Sequence, residues 1–135
     1  MRIILDTNVL VSGIFWGGIP GKIIAACLNK ELTLVASTDI VDEYLRVIKQ
    51  TGAKFKTIDT EPIINMILLE TQIHEEIIVP LSLCRDFDDE KFITAGLSAG
   101  VHHIVSGDKD LLECKNLPKS LEVINPSEFY KKHLA

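Results

Sequence analysis

Short apolar runs alternate with amphipathic stretches along this chain. The runs have the length of buried β-strands and are rich in branched aliphatic residues, which predicts strands at residues 3–5, 32–36, 77–79, 104–105 and 121–124. Between them, apolar residues recur at helical spacing, which predicts helices at residues 22–29, 37–50, 60–71 and 111–112, after residue 89 and from residue 126. The polar segment at residues 51–60 is predicted as a connection.

The alternation of strands and helices indicates the fold class. Elements in this order form an α/β domain, in which a parallel sheet of about five strands carries helices on both faces. The chain has 135 residues, 47% of them hydrophobic, so we expect residues 1–135 to form a single domain with a substantial core. Right-handed crossovers then bring the carboxyl ends of all strands to one edge of the sheet.

Two of the predicted strands end at an acidic residue. Asp6 follows the first strand directly, and Asp108 follows the fourth strand after Ser106 and Gly107. The crevice beyond the carboxyl ends of parallel strands is the usual ligand site of such a sheet. Taken one at a time, these aspartates have an ordinary alternative as turn residues or helix caps, and so does Asp110 two positions later.

Two helix-borne carboxylates are expected at the same edge. Glu43 lies in an early turn of its helix, beside the buried stripe, and can lean toward the sheet. Its alternative is an ordinary solvated carboxylate that the helix dipole favours at this end of the helix. Asp89 precedes Phe92 and Ile93 by three and four residues, so it points along a buried face, where a carboxylate needs a partner. Carboxylates gathered in this way repel one another unless they bind a hard divalent cation such as Mg²⁺ or Mn²⁺, which suits phosphoester hydrolysis.

Composition narrows the class of protein. The net charge of −5 opposes nucleic-acid binding unless a bound metal supplies positive charge at the phosphate. The three cysteines are widely spaced without a CxxC pair, so we expect no disulfide framework and no zinc site, and reduced thiols in the cytoplasm. No apolar run reaches the roughly 18 residues of a membrane span, and the first residues lack a signal-peptide pattern, so no membrane partner is expected.

Four segments of the chain carry a family resemblance. They read LDTNVLVSG at residues 5–13, DEYL around Glu43, RDFDDEKF at residues 85–92 and IVSGDKDLL at residues 104–112. Together they resemble the PIN-domain family, and most closely its toxins from prokaryotic toxin-antitoxin systems. The resemblance implies a three-layer α/β/α fold with strand order 3-2-1-4-5, and a ribonuclease that hydrolyses single-stranded RNA with Mg²⁺ or Mn²⁺. It also implies a homodimer and a small cognate antitoxin that covers the acidic groove.

The resemblance also implies roles for individual residues. The four acidic positions that bind the metal and carry catalysis fall on Asp6, Glu43, Asp89 and Asp108. Positions that support this site fall on Thr7, Asn8, Ser106 and Asp110. Three basic residues beside the acidic motifs are candidates for contact with RNA phosphates, namely Arg85, Lys91 and Lys109. Their alternative is an ordinary role as solvated surface charges.

Three other interpretations stay open at this point. A degenerate PIN module would bind metal or a protein partner without cutting RNA, although acidic residues at all four family positions disfavour it. A phosphatase of the haloacid-dehalogenase type also has Asp after its first strand, but its second Asp, two residues later, is Asn8 here. A receiver-like module has an acidic pair soon after its first strand, and residues 6–38 offer no such pair.

Overall fold

A five-stranded parallel sheet forms the centre of the molecule in the computed structural model, which describes residues 1–55, 58–75, 89–114 and 117–135. The strands are, in chain order, β1 (Arg2–Leu5), β2 (Thr33–Ala36), β3 (Thr71–Ile73), β4 (His103–Val105) and β5 (Glu122–Ile124). They lie in the order β3-β2-β1-β4-β5, and every pairing is parallel. The predicted fold class and the implied strand order are confirmed.

Helices surround this sheet and connect its strands. They are, in chain order, α1 (Thr7–Phe15), α2 (Gly18–Leu28), α3 (Thr38–Lys54), α4 (Glu61–Glu70), α5 (Glu90–Ala99), α6 (Lys109–Leu112) and α7 (Pro126–His133). Helix α2 packs against α1, α4 and α7, and α3 packs against α1 and α5. Strand β1 lies beside β4, so the strand order reverses at this pair and opens a crevice at their carboxyl ends.

Local sequence signals explain where several helices begin and end. The Ser37 hydroxyl accepts a hydrogen bond of 3.2 Å from the backbone N–H of Ile40, which caps α3. The Asn125 side chain caps α7 in the same way, with Pro126 in the first turn. Gly100 ends α5 in the left-handed conformation, with φ of 68°, which glycine adopts without the steric cost that other residues meet.

The core is centred on β1, whose residues Ile3, Ile4 and Leu5 are completely buried. The ring of Tyr44 on α3 is also buried, and its hydroxyl donates a hydrogen bond to the carbonyl of Leu5. This bond joins α3 to the end of β1, one residue before Asp6. The packing of the core therefore determines where the first candidate site residue lies.

Two predicted boundaries differ from the structure. The helix predicted to reach residue 71 ends at Glu70, because residues 71–73 pair with β2 and form the third strand of the described sheet. The strand predicted at residues 77–79 lies outside the described residues. The predicted start of a connection at residue 51 is wrong, because α3 continues to Lys54. Gly52 allows Thr60 to lie close to this last part of α3, since a Cβ at position 52 would lie 2.6 Å from the methyl group of Thr60.

Helices α1 and α2 are the pair that comes nearest to the length and apolar composition of a membrane span. Within the described ranges, no single helix is long and apolar enough to cross a membrane. Helices α1 and α2 meet that test only when taken together, and the chain bends by 97° between them. Both contribute to the core of the domain, with Val9, Leu10 and Ile23 among its buried residues.

Candidate metal centre

Three aspartates occupy the N-cap positions of three helices. Asp6 precedes α1 at the end of β1, Asp108 precedes α6 after β4, and Asp89 precedes α5. Because β1 and β4 are neighbours, the loops that follow them open into the same crevice. A helix N-terminus favours negative charge, which makes an N-cap a suitable position for a carboxylate.

The carboxylates of Asp89, Asp108 and Asp110 form what we call the aspartate cluster. One oxygen of each residue lies within 4.8 Å of those of the other two. The backbone N–H of Asp110 donates a 3.0 Å hydrogen bond to Oδ1 of Asp108, which keeps the first turn of α6 close to its cap. Two ligands on opposite sides of Mg²⁺ stand about 4.2 Å apart, and this ion prefers oxygen donors, so the cluster fits a hard divalent cation.

The hydroxyl of Ser106 links the aspartate cluster to Asp6. Ser106 is completely buried, and its Oγ donates a 2.8 Å hydrogen bond to Oδ2 of Asp6. The same oxygen accepts a 3.0 Å hydrogen bond from the backbone N–H of Asp108. One hydroxyl thus holds both the Asp6 carboxylate and the start of α6.

Asp6 lies in surroundings that disfavour its negative charge. The residue is only 6% exposed, and this burial raises the pKa of its carboxyl above the ordinary value. The negative charges of Asp108 and Glu43 raise the pKa further, while the hydrogen bonds from Ser106 and from the backbone of Thr7 act in the opposite direction. A cation bound at the aspartate cluster would relieve this repulsion.

Glu43 on α3 has partners of its own. Its two carboxylate oxygens accept hydrogen bonds from the hydroxyl of Thr7 and from the ammonium group of Lys91 on α5. The guanidinium group of Arg46 lies 4.0 Å from the oxygen that Lys91 contacts. Within the described part of the chain, neither Glu43 nor Asp6 joins the aspartate cluster at the 4.8 Å separation. Glu43 therefore takes part in an ion pair beside the cluster.

The motifs and geometry of this site agree with a comparison to known protein families. Residues 2–110, which include every acidic residue described above, match the sequence profile of the PIN domain family. The chain belongs to the PIN domain family. PIN domains are generally metal-dependent nucleases, so the aspartate cluster of this PIN domain lies in a nuclease-like fold, and its oxygen donors fit the divalent metal that such domains bind. No curated protein sequence matches the chain as a relative.

The predicted phosphate contacts of this PIN domain take different positions. Lys91 is 22% exposed and is directed into the ion pair with Glu43. Lys109 is exposed and, with Asn8, lines an open cavity of about 610 Å³ beside the cluster. Arg85 lies outside the described residues. Lys109 thus stands where a phosphate in the cavity can approach it, whereas Lys91 balances charge inside the site.

Two features of the PIN domain site could not be foreseen from its motifs. Asp110 is predicted as a supporting residue, yet it contributes an oxygen to the aspartate cluster because the turn at the start of α6 brings it close to Asp108. Glu90 is a further buried carboxylate, and one of its oxygens has no hydrogen-bond partner among the described residues. An acidic residue in the first turn of a helix is common, so the sequence carries no signal that Glu90 is buried.

Proposed function

We propose that this PIN domain is a metal-dependent endoribonuclease that hydrolyses phosphodiester bonds of single-stranded RNA. The observation that supports this most strongly is the aspartate cluster, with Asp6 held next to it by Ser106. Carboxylates that hold Mg²⁺ or Mn²⁺ at the edge of a sheet suit the hydrolysis of phosphate esters. The family match argues against a haloacid-dehalogenase-type phosphatase and a receiver-like module.

Each group at the site has a distinct role in this proposal. The aspartate cluster would hold the cation, and a bound Mg²⁺ or Mn²⁺ supplies positive charge at the attacked phosphate and lowers the pKa of a water. Asp6 lies beside the cluster in an orientation that Ser106 fixes, so it is the carboxylate best placed to accept a proton from the attacking water. Glu43 holds the Lys91 ammonium group near the site, where it offsets part of the negative charge that an incoming phosphate meets.

The experiment that tests this proposal measures cleavage of a mixed pool of single-stranded RNA with Mg²⁺, with Mn²⁺ and with EDTA. Asp108→Asn keeps the shape of the side chain but weakens the cation site, and we expect it to lower the rate by about 100-fold or more. Asp42→Asn removes the same charge from an exposed position on α3, outside the cluster, and should retain the wild-type rate. Single-stranded DNA and duplex RNA, tested alongside, check the substrate class.

Several outcomes would count against the proposal. Cleavage that persists in EDTA, or that is undiminished in Asp108→Asn, would overturn the assignment of the site. Mn²⁺ binding without cleavage, measured by calorimetry on a folded sample, would favour a degenerate PIN module that binds metal without cutting RNA. Equal cleavage of single-stranded DNA would refute the restriction to RNA.

We also propose that the protein is the toxin of a toxin-antitoxin pair and acts in the cytoplasm as a homodimer. The support is the resemblance of residues 5–13 and 104–112 to that branch of the family. A small antitoxin that covers the acidic groove would block access to the aspartate cluster. Co-expression with the product of a neighbouring reading frame should therefore yield an inactive complex, and a neighbouring product that neither binds nor inhibits would contradict this role.

A further inference from the structure

Three aromatic side chains form a surface cluster where α1 and α3 end: Phe15, Trp16 and Phe55, called here the aromatic trio. Their ring centroids are 5.5 to 6.0 Å apart, and the rings of Trp16 and Phe55 meet edge to face at 90°. Trp16 nevertheless remains 64% exposed and Phe55 remains 40% exposed. Large apolar rings that stay exposed side by side mark an interaction surface.

The aromatic trio and the acidic site lie at opposite ends of the same two helices. Helix α1 begins after Asp6 and its C-cap is Trp16, while α3 carries Glu43 and its C-cap is Phe55. These helices pack against each other. With a rise of 1.5 Å per residue, the trio stands about 15 Å from Asp6 along α1 and about 18 Å from Glu43 along α3.

The exposed side of α3 between these two ends is basic, although the protein as a whole is acidic. From Arg46 to Phe55 the sequence contains three cations and no acidic residue, against a net charge of −5 for the whole chain. The three cations, Arg46, Lys49 and Lys54, are all exposed. Arg46 lies 4.0 Å from the Glu43 carboxylate and Lys54 directly precedes Phe55, so cations lie at both ends of this part of α3.

We infer that the aromatic trio is a base-stacking platform for the single-stranded RNA whose scissile phosphate lies at the aspartate cluster. Exposed aromatic rings beside a row of cations are the combination with which proteins hold single strands, because cations follow the phosphates and rings stack on bases. An apolar protein partner would leave the exposed charges of Lys49 and Lys54 without a role, so the charge favours RNA. The position of the scissile bond rests on the proposed ribonuclease function.

The separation of the two sites sets the length of RNA that can occupy both. At about 3.4 Å per stacked nucleotide, 15–18 Å along the helices corresponds to about five nucleotides. An RNA of ten nucleotides can therefore bind at the aspartate cluster and the aromatic trio together. Shorter substrates lose the contact with the trio, and this length dependence is the signature of the platform.

Trp16 is the only tryptophan in the chain, so its fluorescence reports directly on the aromatic trio. We expect a ten-nucleotide RNA, added in EDTA so that no cleavage occurs, to quench this fluorescence because a base stacks on the indole ring. An abasic sugar-phosphate chain of the same length carries the same charge without the bases. It should therefore leave the fluorescence nearly unchanged.

Substitution of Trp16 tests the contribution of stacking to affinity. Trp16→Ala should weaken binding of the ten-nucleotide RNA by about 5- to 100-fold, measured in EDTA by the fluorescence anisotropy of labelled RNA. Trp16→Phe keeps an aromatic face and should restore most of the affinity. Leu69→Ala is the matched control, because Leu69 is 82% exposed on α4 and lies outside the trio. With Mg²⁺ or Mn²⁺ present, Trp16→Ala should raise KM, and the rise should shrink for substrates below about five nucleotides.

The outcomes separate this inference from the proposed activity. Wild-type affinity in Trp16→Ala, or equal quenching by the abasic chain, would overturn the platform even if the protein cuts RNA. Quenching and weaker binding by Trp16→Ala in a protein that cuts no RNA would support the platform and refute the ribonuclease. A dimer that Trp16→Ala converts to a monomer in sedimentation, with no fluorescence response to RNA, would identify the trio as a contact between two copies and overturn the inference.

Discussion

A single buried hydroxyl holds together the two strand ends that form the candidate site. Ser106 is inaccessible to solvent, donates to the Asp6 carboxylate and accepts from the backbone of Asp108. A hydrogen bond to a charged group contributes about 1.5–3 kcal/mol to stability. Ser106 therefore offsets part of the unfavourable burial of Asp6, and it does so only when β1 and β4 are correctly paired.

Removal of this hydroxyl should affect both stability and cation binding. We expect Ser106→Ala to lower the free energy of unfolding by about 1.5–3 kcal/mol at neutral pH. It should also weaken Mn²⁺ binding by about 10- to 100-fold, because groups that orient a metal site contribute to its affinity. Urea denaturation and calorimetry measure the two effects, with Ser127→Ala, an exposed serine on α7, as the control. Unchanged stability in Ser106→Ala would show that this hydroxyl does not hold the site.

Individual residues also show how far the sequence predicts the site. The proximity of Asp6 and Asp108 is predictable, because both follow buried strands and parallel strands share one edge. The contact between Glu43 and Lys91 cannot be predicted from the sequence, since it depends on how α3 and α5 approach each other in space. The place of Asp110 in the cluster depends on the geometry of one helical turn, which its spacing from Asp108 alone does not determine.

Among the elements, α3 connects the sheet, the acidic site and the aromatic trio. The Tyr44 hydroxyl joins this helix to the end of β1 through the carbonyl of Leu5. Glu43 is the preceding residue on the same helix, and Phe55 caps its far end. The position of α3 against β1 thus determines the distance between the proposed reaction site and the proposed platform.

Loss of the Tyr44 hydroxyl should loosen this attachment. We expect Tyr44→Phe to lower the free energy of unfolding by about 1 kcal/mol, because a buried hydrogen bond is lost while the ring still packs in the core. Urea denaturation measures the change. Tyr130→Phe on α7 is the control, since the Lys22 ammonium group lies over the face of this half-buried ring and, among the described residues, its hydroxyl makes no hydrogen bond to the sheet. An equal effect of the two substitutions would contradict the importance of the bond to β1.

The sequence pattern places four of the five described strands within one residue of their observed bounds. The exception is β3, in which two of the three residues are exposed and which lacks an apolar run. It forms because pairing with β2 satisfies backbone groups at the edge of the sheet, and this partner is distant in sequence. Periodicity therefore predicts the buried strands well and the exposed edge strand poorly.

For the molecule as a whole, cation binding and folding stability are linked. A ligand that binds only the folded state stabilises it by about 2.7 kcal/mol at 100 times its Kd. We expect Mn²⁺ to raise the Tm of the wild-type protein, and EDTA to reverse the rise. Asp108→Asn should abolish the rise, whereas Asp42→Asn should retain it. An equal rise in Asp108→Asn would place the cation outside the aspartate cluster.

Acid should destabilise the domain through a histidine where α7 meets the sheet. Nδ1 of His103 lies 3.5 Å from the Glu122 carboxylate, and its ring contacts that of His133. Burial and then the positive charges of His133 and His102 lower the pKa of His103, while Glu122 acts in the opposite direction. At pH values between the lowered pKa of His103 in the folded protein and its ordinary value of about 6.5, the unfolded chain binds more protons than the folded one. The contribution of His103 to the free energy of unfolding is therefore fully present above about pH 6.5 and is lost as the pH drops.

A pair of neighbouring histidine variants tests this pH dependence. The free energy of unfolding should fall between about pH 7.5 and pH 5.5, and His103→Gln should make that fall smaller. His102→Gln alters the adjacent exposed residue and should change the pH dependence much less. Urea denaturation at the two pH values measures the difference. A fall that is the same in His103→Gln and the wild type would assign the acid sensitivity to other groups.

Asp6 and Asp108 are the N-caps of the helices that follow β1 and β4, so neither is in place before the segments around it have formed. Asp6 and its hydrogen-bond partner Ser106 are 100 residues apart in sequence. Contacts of such long range form late in folding, because the chain between them must first be ordered. A nascent chain that has left the ribosome only as far as α5 carries Asp6 and Glu43 but no aspartate cluster. Under the proposed ribonuclease function, cleavage of RNA would therefore begin only after α6 has emerged and folded, which would spare the ribosome and its messenger during synthesis.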